Sequence, residues 1–388
     1  MTTRRTLLAA ALATGAALPL GAGQATAAPT NTLTLPRPTG PHLIGTVPLH
    51  LVDRSRRDPV TPRRPRELMA SVWYPAAPRD ARHYPQARWM PDASWRALIA
   101  SIGIDPDAAG APRTAGHEGA PVLRGRFPVV MYSHGNNTCR AENTIMVQEL
   151  ASHGYVVVTV DSTYDGYSEF PDGRVTVAAD ELPYPYDTPW GHAYDTLFGL
   201  DCLETIVAGR NPDAGRRPLP AGLGDAPDLR RVGMFGWSKG ATATALAMNT
   251  DRRIRAGLAL DGPMQSQPPV GAIDRPFMMM TAELTPEAEP SVDEVWRHHL
   301  TGWKLAVQLD GGSHNSFGDA QALIPQLARL TGMSDEDLAP WVGDLGPARA
   351  IRIQQAYPRA FFDQHLRGRH SPLLDGPSPA FRKVLFLS

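Results

Sequence analysis

The sequence Arg231-Val-Gly-Met-Phe-Gly-Trp-Ser-Lys-Gly-Ala-Thr-Ala-Thr-Ala-Leu-Ala-Met248 predicts a strand, a tight turn and a helix. Its apolar run ends at Gly236-Trp-Ser-Lys-Gly240, and an Ala-rich helical pattern follows. Gly-x-Ser-x-Gly in that context is typical of the turn that presents a serine nucleophile, because small residues at both ends let strand and helix approach closely. A chance match is the alternative in a chain with 35 Gly, but the flanking strand and helix favour catalysis. Ser238 is therefore the candidate nucleophile.

The segments around this stretch predict a sheet that is mainly parallel. Strands are predicted at residues 128–132, 155–161, 256–261, 276–281 and 304–309, and helices at 141–153, 192–208, 291–301 and 348–367. Continuous apolar strands that alternate with helices are typical of a parallel sheet covered on both faces. Residues 50–53 and 67–74 alternate in polarity instead, which predicts an antiparallel pair at the start. The pattern predicts an α/β-hydrolase fold: a mainly parallel sheet with an antiparallel N-terminal start and helices on both faces.

The first 27 residues are predicted to be a signal peptide rather than part of the fold. Arg4 and Arg5 precede a modestly apolar segment that ends at Ala25-Thr-Ala27, which is the pattern of a twin-arginine export signal with its cleavage site. No later stretch holds the roughly 18 apolar residues that would span a bilayer. The remaining residues, 28–388, are expected to form one secreted domain without stable membrane insertion.

Three segments of this domain are predicted to lie outside the regular pattern. Residues 29–47 are rich in Pro and Thr and are expected to wrap the surface. Residues 75–126 are interpreted as an insertion near the active site with one short helix at 94–101. Residues 162–190 form a second insertion that holds six aromatic residues, Tyr164, Tyr167, Phe170, Tyr184, Tyr186 and Trp190. These rings either wall a substrate pocket or pack on one another, and the sequence favours neither.

The composition excludes several classes of partner. Lys and Arg number 38 against 39 Asp and Glu, so the net charge of −1 argues against nucleic acid or an anionic membrane surface as the main partner.

Cys139 and Cys202 are an even pair, but we expect no disulfide bridge between them, since the topology places them on helices flanking opposite faces of the sheet. An acidic run between Glu283 and Glu294 is interpreted as a solvated loop rather than a calcium site. The sequence predicts no cofactor and no metal.

A serine nucleophile needs a base and an orienting acid, which follow it in the order Ser, acid, His in this fold. His314 is the predicted base, because its Gly-rich turn follows the last core strand. His298 and His299 lie in a polar helical pattern and are expected to face solvent. Asp261 and Glu283 both follow strands at the catalytic edge, and spacing alone leaves both open as the acid.

Two backbone N–H groups are predicted to bind the negative charge that develops on the substrate oxygen. One belongs to Lys239, the residue after the nucleophile. The other is assigned to Asn136 in the loop Ser133-His-Gly-Asn136, which is similar to the His-Gly oxyanion loops of esterases. His134 in this loop is expected to be a hydrogen-bonding residue rather than a second base.

These motifs together resemble the platelet-activating factor acetylhydrolase family, and the likeness covers nearly all of the mature sequence. The matching segments are Val129-Val-Met-Tyr-Ser-His-Gly135, Ala151-Ser-His-Gly-Tyr-Val-Val157, the Ser238 turn, Gly257-Leu-Ala-Leu-Asp261 and Gly312-Ser-His-Asn-Ser-Phe317. In that family the acid follows the strand after the nucleophile turn, so the resemblance implies Asp261. Trp237 and Lys239 depart from the family pattern, which usually has His before the serine and an apolar residue after it.

The resemblance implies a secreted serine esterase that cleaves short-acyl or acetyl esters, including phospholipid-derived ones, through an acyl-enzyme. The expected partner is therefore a small-molecule ester. A polyester depolymerase or an amidase with the same triad is the alternative among enzymes. A binding protein on a hydrolase scaffold is the alternative outside them, because a fold does not fix a function.

Overall fold

The computed structural model describes residues 31–388, so the predicted signal peptide at residues 1–27 lies outside the described residues. Within that range the strands are β1 (Thr32–Thr34), β2 (Ile44–Arg57), β3 (Pro65–Pro75), β4 (Gln86–Arg88), β5 (Gly110–Glu118), β6 (Phe127–Ser133), β7 (Val156–Val160), β8 (Ser168–Glu169), β9 (Val175–Thr176), β10 (Pro227–Trp237), β11 (Ile254–Leu260), β12 (Phe277–Thr281), β13 (Lys304–Leu309) and β14 (Val384–Leu387). The α-helices are α1 (Asp92–Ser101), α2 (Thr144–Ser152), α3 (Pro189–Val207), α4 (Lys239–Thr250), α5 (Pro290–Glu294), α6 (Ala320–Thr331), α7 (Asp335–Val342) and α8 (Pro347–Arg367).

Twelve strands of the described chain form one sheet in the order β1-β5-β2-β3-β7-β6-β10-β11-β12-β13-β14, with β4 paired to β5. The six strands from β7 to β13 in that order run parallel to one another. The strand that leads to Ser238, β10, lies between β6 and β11 near the middle of this parallel part. The predicted parallel core with the Ser238 strand inside it is therefore confirmed, as is the α/β-hydrolase architecture.

The antiparallel start is confirmed and is longer than predicted. β2 and β3 pair antiparallel from Ile44 opposite Pro75 to Arg57 opposite Pro65. The prediction of a surface segment at 29–47 is wrong in part, because Thr32–Thr34 pairs with β5 and Ile44–Val47 belongs to β2. The Pro and Thr residues predicted a loop, but these strands lie at or near the edge of the sheet, where proline is tolerated.

The segment 75–126 contains the predicted helix, α1, but also two strands that the sequence did not indicate. β5 pairs parallel with β2 and antiparallel with β4, so the segment extends the sheet instead of standing apart from it. Small residues such as Gly110, Ala111 and Gly116 make β5 weakly apolar, which explains why no strand was predicted there.

Alternate residues of the central strands face two separate cores. On β6, Val129 and Met131 pack with Leu200 and Leu203 of α3. Val130 and Tyr132 pack on the other face, with residues of α2 and α8. This alternation places α3 and α4 on one face and α2 and α8 on the other, which confirms the prediction of helices on both faces.

The C-terminal part of the chain adds elements that the sequence analysis left out. After the turn that holds His314, α6 and α7 form a helical pair, and β14 closes the sheet as an antiparallel edge strand beside β13. α1, α6 and the loop before α2 share a third apolar cluster that includes Trp95, Leu323 and Cys139. This cluster lies beyond the sheet, and several of its residues line a cavity next to Trp237.

The two cysteines are free and buried. Cys202 lies on α3 as predicted, whereas Cys139 lies in the loop before α2 rather than on the helix itself. They belong to different apolar clusters, so the absence of a bridge agrees with the topology.

Candidate active site

Ser238 is the single residue between the end of β10 and the start of α4, and its backbone is strained. Its φ is 56° and its ψ is −120°, a region that residues with a side chain rarely occupy. The turn is tight because a Cβ atom at Gly236 would lie 2.0 Å from the carbonyl oxygen of Gly240, and one at Gly240 would lie 2.1 Å from that of Ser133. Both glycines are thus required by close backbone approach, as the motif predicts.

The carboxylate of Asp261 follows β11 and bridges two elements of the site. Oδ1 accepts hydrogen bonds from the backbone N–H groups of Ala282, Glu283 and Leu284 at 2.7, 3.1 and 2.9 Å. Oδ2 lies 2.7 Å from Nδ1 of His314. Because three donors fix one oxygen, the other is held in place to accept the Nδ1 proton of the imidazole. That bond leaves Nε2 as the ring nitrogen free to take a proton.

Glu283, the other carboxylate weighed as the acid, contacts the backbone rather than the ring. Its Oε1 accepts a hydrogen bond from the backbone N–H of His314 at 3.0 Å. The structure therefore brings both carboxylates to the histidine turn, with Asp261 on the imidazole and Glu283 on the main chain.

Trp237 holds the histidine turn against the serine turn. Its indole Nε1 donates to the carbonyl oxygen of His314 at 3.0 Å, and the indole and imidazole centroids are 4.9 Å apart. Ser238 N donates to the carbonyl oxygen of Leu260, the residue before Asp261, at 2.9 Å. Ser238, Asp261 and His314 therefore gather at the carboxyl edge of the parallel strands, where ligand sites of such sheets lie.

The loop after β6 lies directly on the serine turn. A Cβ atom at Gly135 would lie 2.6 Å from the Trp237 ring and 3.2 Å from Cβ of Ser238, so only glycine permits this approach. Asn136, the next residue, and Lys239, the first residue of α4, are therefore both neighbours of Ser238. Their backbone N–H groups come from the two segments that the sequence assigned to the oxyanion hole.

The side chain of Lys239 joins these two segments to a buried carboxylate, Asp165. Lys239 Nζ donates to Oδ2 of Asp165 at 2.5 Å and to the side-chain oxygen of Asn136 at 3.1 Å. The same Asp165 oxygen lies 2.7 Å from Nε2 of His192, and Oδ1 accepts from the backbone N–H of Asn137 at 3.2 Å. We call Asp165, Lys239, His192 and Asn137 the Asp165 network.

Asp165 is buried, which favours the neutral carboxyl group, but its charged partners keep it ionised. Burial opposes the charged form, but His192 and Lys239 outweigh it and hold the pKa of the Asp165 carboxyl far below its usual range. Asp165, which lies in the loop 162–190, was not predicted from the sequence. Lys239 was the available signal, because a lysine beside a buried strand–helix turn requires an acidic partner.

His134 is confirmed as a hydrogen-bonding residue of the loop. Its Nδ1 lies 2.7 Å from the carbonyl oxygen of Gly135, and its Nε2 accepts from the backbone N–H of Ser162 at 2.9 Å. Burial, followed by the charge of His192, lowers the pKa of His134 to about 4. A neutral imidazole with both nitrogens engaged does not act as a second base.

The histidines of the helical segment after β12 lie on the surface. His298 is 63% exposed, which confirms the prediction, and His299 is 27% exposed, so it faces solvent only in part. Residues 31–388 contain no group of three or more His, Cys, Asp or Glu placed to hold a metal ion. The same range contains no helix long and apolar enough to cross a membrane.

The aromatic residues of 162–190 neither form one wall nor one cluster. Tyr167 lines a cavity beside Asn136, and Tyr184 is exposed. Tyr186 stacks over the buried guanidinium of Arg66, and Trp190 packs in the core. One ring of the loop, Tyr167, therefore belongs to a pocket, and most of the others anchor the loop to the sheet.

A cavity of about 280 Å³ opens next to the serine turn. Asn136, Trp237 and Asn315 border it on the side of Ser238 and His314. Its other walls come from α1, α6 and α7 and the loops before them, through the side chains of Trp89, Trp95, Leu98, Ile99, Leu323, Ile324, Leu327 and Trp341. The sequence alone does not predict this pocket, because its residues come from segments more than 200 positions apart.

Comparison with known proteins places this site in a family context. Residues 27–165 match the family model described as platelet-activating factor acetylhydrolase, isoform II. A probable 1-alkyl-2-acetylglycerophosphocholine esterase of Arthroderma benhamiae is 26% identical over 392 residues, covering 91% of this chain and 93% of that protein. A platelet-activating factor acetylhydrolase of Cavia porcellus is 21% identical over 69% of this chain and 68% of its own length.

Among solved structures, a ferulic acid esterase from Streptomyces cinnamoneus is similar to this chain at a TM-score of 0.75. It is 31% identical, and the superposition covers 92% of this chain and all of that one. Sequence relatives and structural neighbour thus agree on ester hydrolysis, which removes the binding-protein alternative. By its motifs, fold and relatives, this chain belongs to the platelet-activating factor acetylhydrolase family and is a carboxylic ester hydrolase of the α/β-hydrolase fold.

Proposed function

We propose that the protein is a secreted serine esterase that works through an acyl-enzyme. Ser238 is the nucleophile, His314 the general base, and Asp261 the acid that orients His314. The backbone N–H groups of Asn136 and Lys239 form the oxyanion hole. The observation that carries this proposal is the 2.7 Å contact between Asp261 and Nδ1 of His314, on a turn that Trp237 binds beside Ser238.

In the first step, Oγ of Ser238 bonds to the ester carbonyl carbon while its proton passes to Nε2 of His314. The carbonyl oxygen becomes an oxyanion that accepts hydrogen bonds from the N–H groups of Asn136 and Lys239. Collapse of this intermediate breaks the bond to the alcohol oxygen, which takes the proton from Nε2. Water then attacks the acyl-enzyme in the same way, and the acid leaves with Ser238 restored.

Asp261 contributes by fixing the tautomer of His314 and by stabilising the imidazolium that forms during attack. Its second oxygen is held by three backbone donors, so the carboxylate does not need to reorganise as charge develops. Fixed dipoles and charges of this kind act without a reorganisation cost at the moment of reaction.

The proposed substrates are short-acyl or acetyl esters of small molecules. Two of the relatives are named for acetyl esters of glycerophosphocholine or platelet-activating factor, and the family resemblance implies the same acyl size. Turnover of straight-chain 4-nitrophenyl esters should fall as the acyl chain lengthens. Equal or better hydrolysis of long-chain triglycerides would make lipase the better description, and hydrolysis of anilides or polyesters would favour the two enzyme alternatives.

Covalent labelling tests the mechanism most directly. A fluorophosphonate probe should label the native protein at Ser238, as located by mass spectrometry of peptides. Ser238→Ala should lose labelling and at least about 10⁴-fold in turnover with the fold retained, because the covalent route disappears while one oxygen is removed. Ser266→Ala, a serine outside the site elements, is the matched control and should keep both. Full activity of Ser238→Ala would refute the proposed nucleophile.

A further inference from the structure

The cavity beside the serine turn is larger than an acetyl group requires. Its volume of about 280 Å³ is close to the lower end of small-molecule sites, roughly 300 Å³. It also touches both halves of the candidate site, since Asn136 adjoins the oxyanion position and Asn315 follows His314. The following inference rests on the proposed function, because it identifies what this pocket adds to ester recognition.

The walls of the cavity are aromatic and held rigidly. Trp89 and Trp95 meet edge to face with centroids 5.7 Å apart. The indole N–H of Trp89 donates to Asp319 at 2.6 Å, and that of Trp95 donates to the carbonyl oxygen of Ala109 at 2.7 Å. Tyr167, Trp237 and Trp341 complete the aromatic lining. Rings whose polar atoms are already bonded present flat apolar surfaces, which suit another planar ring.

Glu142 is the one charged side chain among the residues that line the cavity. Its side chain is partly buried, and within residues 31–388 its carboxyl group has no hydrogen-bond partner. Space is kept for it by Gly318, where a Cβ atom would lie 2.6 Å from Oε1. A polar group that faces an apolar pocket without a partner is costly unless a ligand supplies one.

The chemistry around Glu142 selects the kind of partner. Burial, with the charge of Asp319, raises the pKa of Glu142 to about 8, so at neutral pH its carboxyl group can both donate and accept a hydrogen bond. No lysine or arginine lines the cavity, so a phosphate or carboxylate substituent would find no positive charge there. An uncharged ring with a hydroxyl group satisfies both the walls and the carboxyl.

We propose that this pocket binds an aromatic group of the ester, and that Glu142 recognises a hydroxyl substituent on that ring. The ring belongs either to the acyl part or to the alcohol part, because the cavity borders Asn136 and Asn315 alike. Glu142 is in either case a specificity-determining residue and takes no part in the bond-breaking steps.

Paired substrates test the proposal in the full-length mature enzyme. Methyl 4-hydroxycinnamate and methyl cinnamate differ only by the hydroxyl on an acyl ring, and 4-hydroxybenzyl acetate and benzyl acetate differ only by the hydroxyl on an alcohol ring. In one of the two pairs, kcat/KM should favour the hydroxylated ester by about tenfold, the effect of one hydrogen bond. Glu142→Leu should abolish this preference, and Glu142→Gln, which still donates and accepts, should retain most of it.

Two controls separate this inference from the proposed function. Hydrolysis of ethyl acetate, which carries no ring on its acyl or its alcohol part, should stay within about twofold in both Glu142 variants, because nothing in this ester occupies the aromatic pocket. Leu98→Trp, which fills the cavity from α1, should reduce turnover of the preferred aromatic ester by about tenfold or more and spare ethyl acetate. Loss of acetate hydrolysis in Ser238→Ala tests the mechanism and is unaffected by the outcome at Glu142.

Three results would overturn the inference while leaving the esterase intact. One is a hydroxyl preference in neither substrate pair, and another is a preference that survives in Glu142→Leu. The third is a preference for a cation: faster hydrolysis of acetylcholine than of its neutral isostere 3,3-dimethylbutyl acetate, with that difference lost in Glu142→Gln. This result would mean that the aromatic walls and the carboxylate bind an ammonium group instead.

Discussion

Lys239 Nζ lies 2.5 Å from the carboxylate of Asp165, and the same ammonium group donates to the side chain of Asn136. One cation therefore links the residue after Ser238 to the loop that follows β6. Both side chains of the ion pair are largely buried, with exposures of 13% and 5%. The departure at Lys239 from the apolar residue usual in the family is thus compensated by a carboxylate that fixes the two proposed oxyanion donors relative to each other.

Asp165→Asn should lower kcat by about tenfold to a hundredfold and change KM little. The charge that holds Lys239 and His192 disappears, so the N–H groups of Asn136 and Lys239 lose part of their fixed geometry. The effect should be smaller than the 10²–10³ caused by removing an oxyanion donor outright. Steady-state kinetics with 4-nitrophenyl acetate measure it, and Asp172→Asn, an exposed carboxylate of the same loop, is the control.

The double variant Asp165→Asn with Lys239→Met checks that the two residues act as one unit. If the ion pair is the positioning device, the two losses should not add, since residues in one network couple. Strictly additive effects, or a rise in KM with kcat preserved, would show that Asp165 supports substrate binding or folding instead.

Asp261→Asn should reduce turnover by about 10⁴-fold, whereas Glu283→Gln should reduce it only modestly. The first change removes the acceptor of the Nδ1 proton and favours the wrong tautomer of His314. The second leaves an amide oxygen that still accepts from the backbone N–H of His314. Kinetics of the two variants, with circular dichroism to verify folding, provide the ranking, and the reverse order would assign the acid to Glu283.

Stability should fall as the pH rises from about 4.5 to 8, and Glu142 should cause part of that fall. Its pKa is raised from 4.5 to about 8 in the folded protein, so the folded state holds a proton that the unfolded state has already lost in this interval. Asp319 acts in the same direction, because burial raises its pKa to about 7. Glu142→Gln should therefore raise Tm at pH 8.5 and leave it nearly unchanged at pH 4. Equal shifts at both pH values would argue against a Glu142 carboxyl that stays protonated in the folded protein.

Export should depend on the paired arginines at the amino terminus. Arg4→Lys with Arg5→Lys should leave precursor in the cytoplasm, because the twin-arginine receptor reads the guanidinium pair rather than bulk charge. Immunoblots of culture medium and cell fractions measure this. Normal secretion of the double variant would indicate a general secretory signal.

The parts of the fold that follow from local pattern were predictable from sequence. The apolar runs at 128–132 and 155–161 and the turn at Gly236–Gly240 have one reasonable interpretation each, since period and glycine spacing fix them. The weak strand β5 was missed because small residues carry little signal. The helices α6 and α7 were missed although the helix at 348–367 beyond them was predicted, and each of the two holds an internal proline, Pro325 and Pro340, which disfavours a helix assignment. Sequence order alone also left Asp261 and Glu283 equal, and the backbone donors that orient Asp261 exist only in the folded chain.

The residues that surround the reaction were harder to foresee than those proposed to perform it. Asp165, His192 and Lys239 are separated by 27 and 47 positions, and their meeting depends on how the loop 162–190 folds over the sheet edge. Glu142 and Gly318 are still farther apart. Pairings of this kind carry no local pattern, because they depend on tertiary packing rather than on periodicity.

The helices α1, α6 and α7, which wall the pocket, lie outside the central sheet and carry none of the proposed catalytic side chains. Mutations that reshape these helices can consequently change which ester fits while the strained serine turn and the Asp261–His314 pair stay as they are. Because the two parts are separate, substrate specificity can change while the catalytic mechanism is retained. It also makes the helical wall, rather than the sheet edge, the place to engineer a new substrate range.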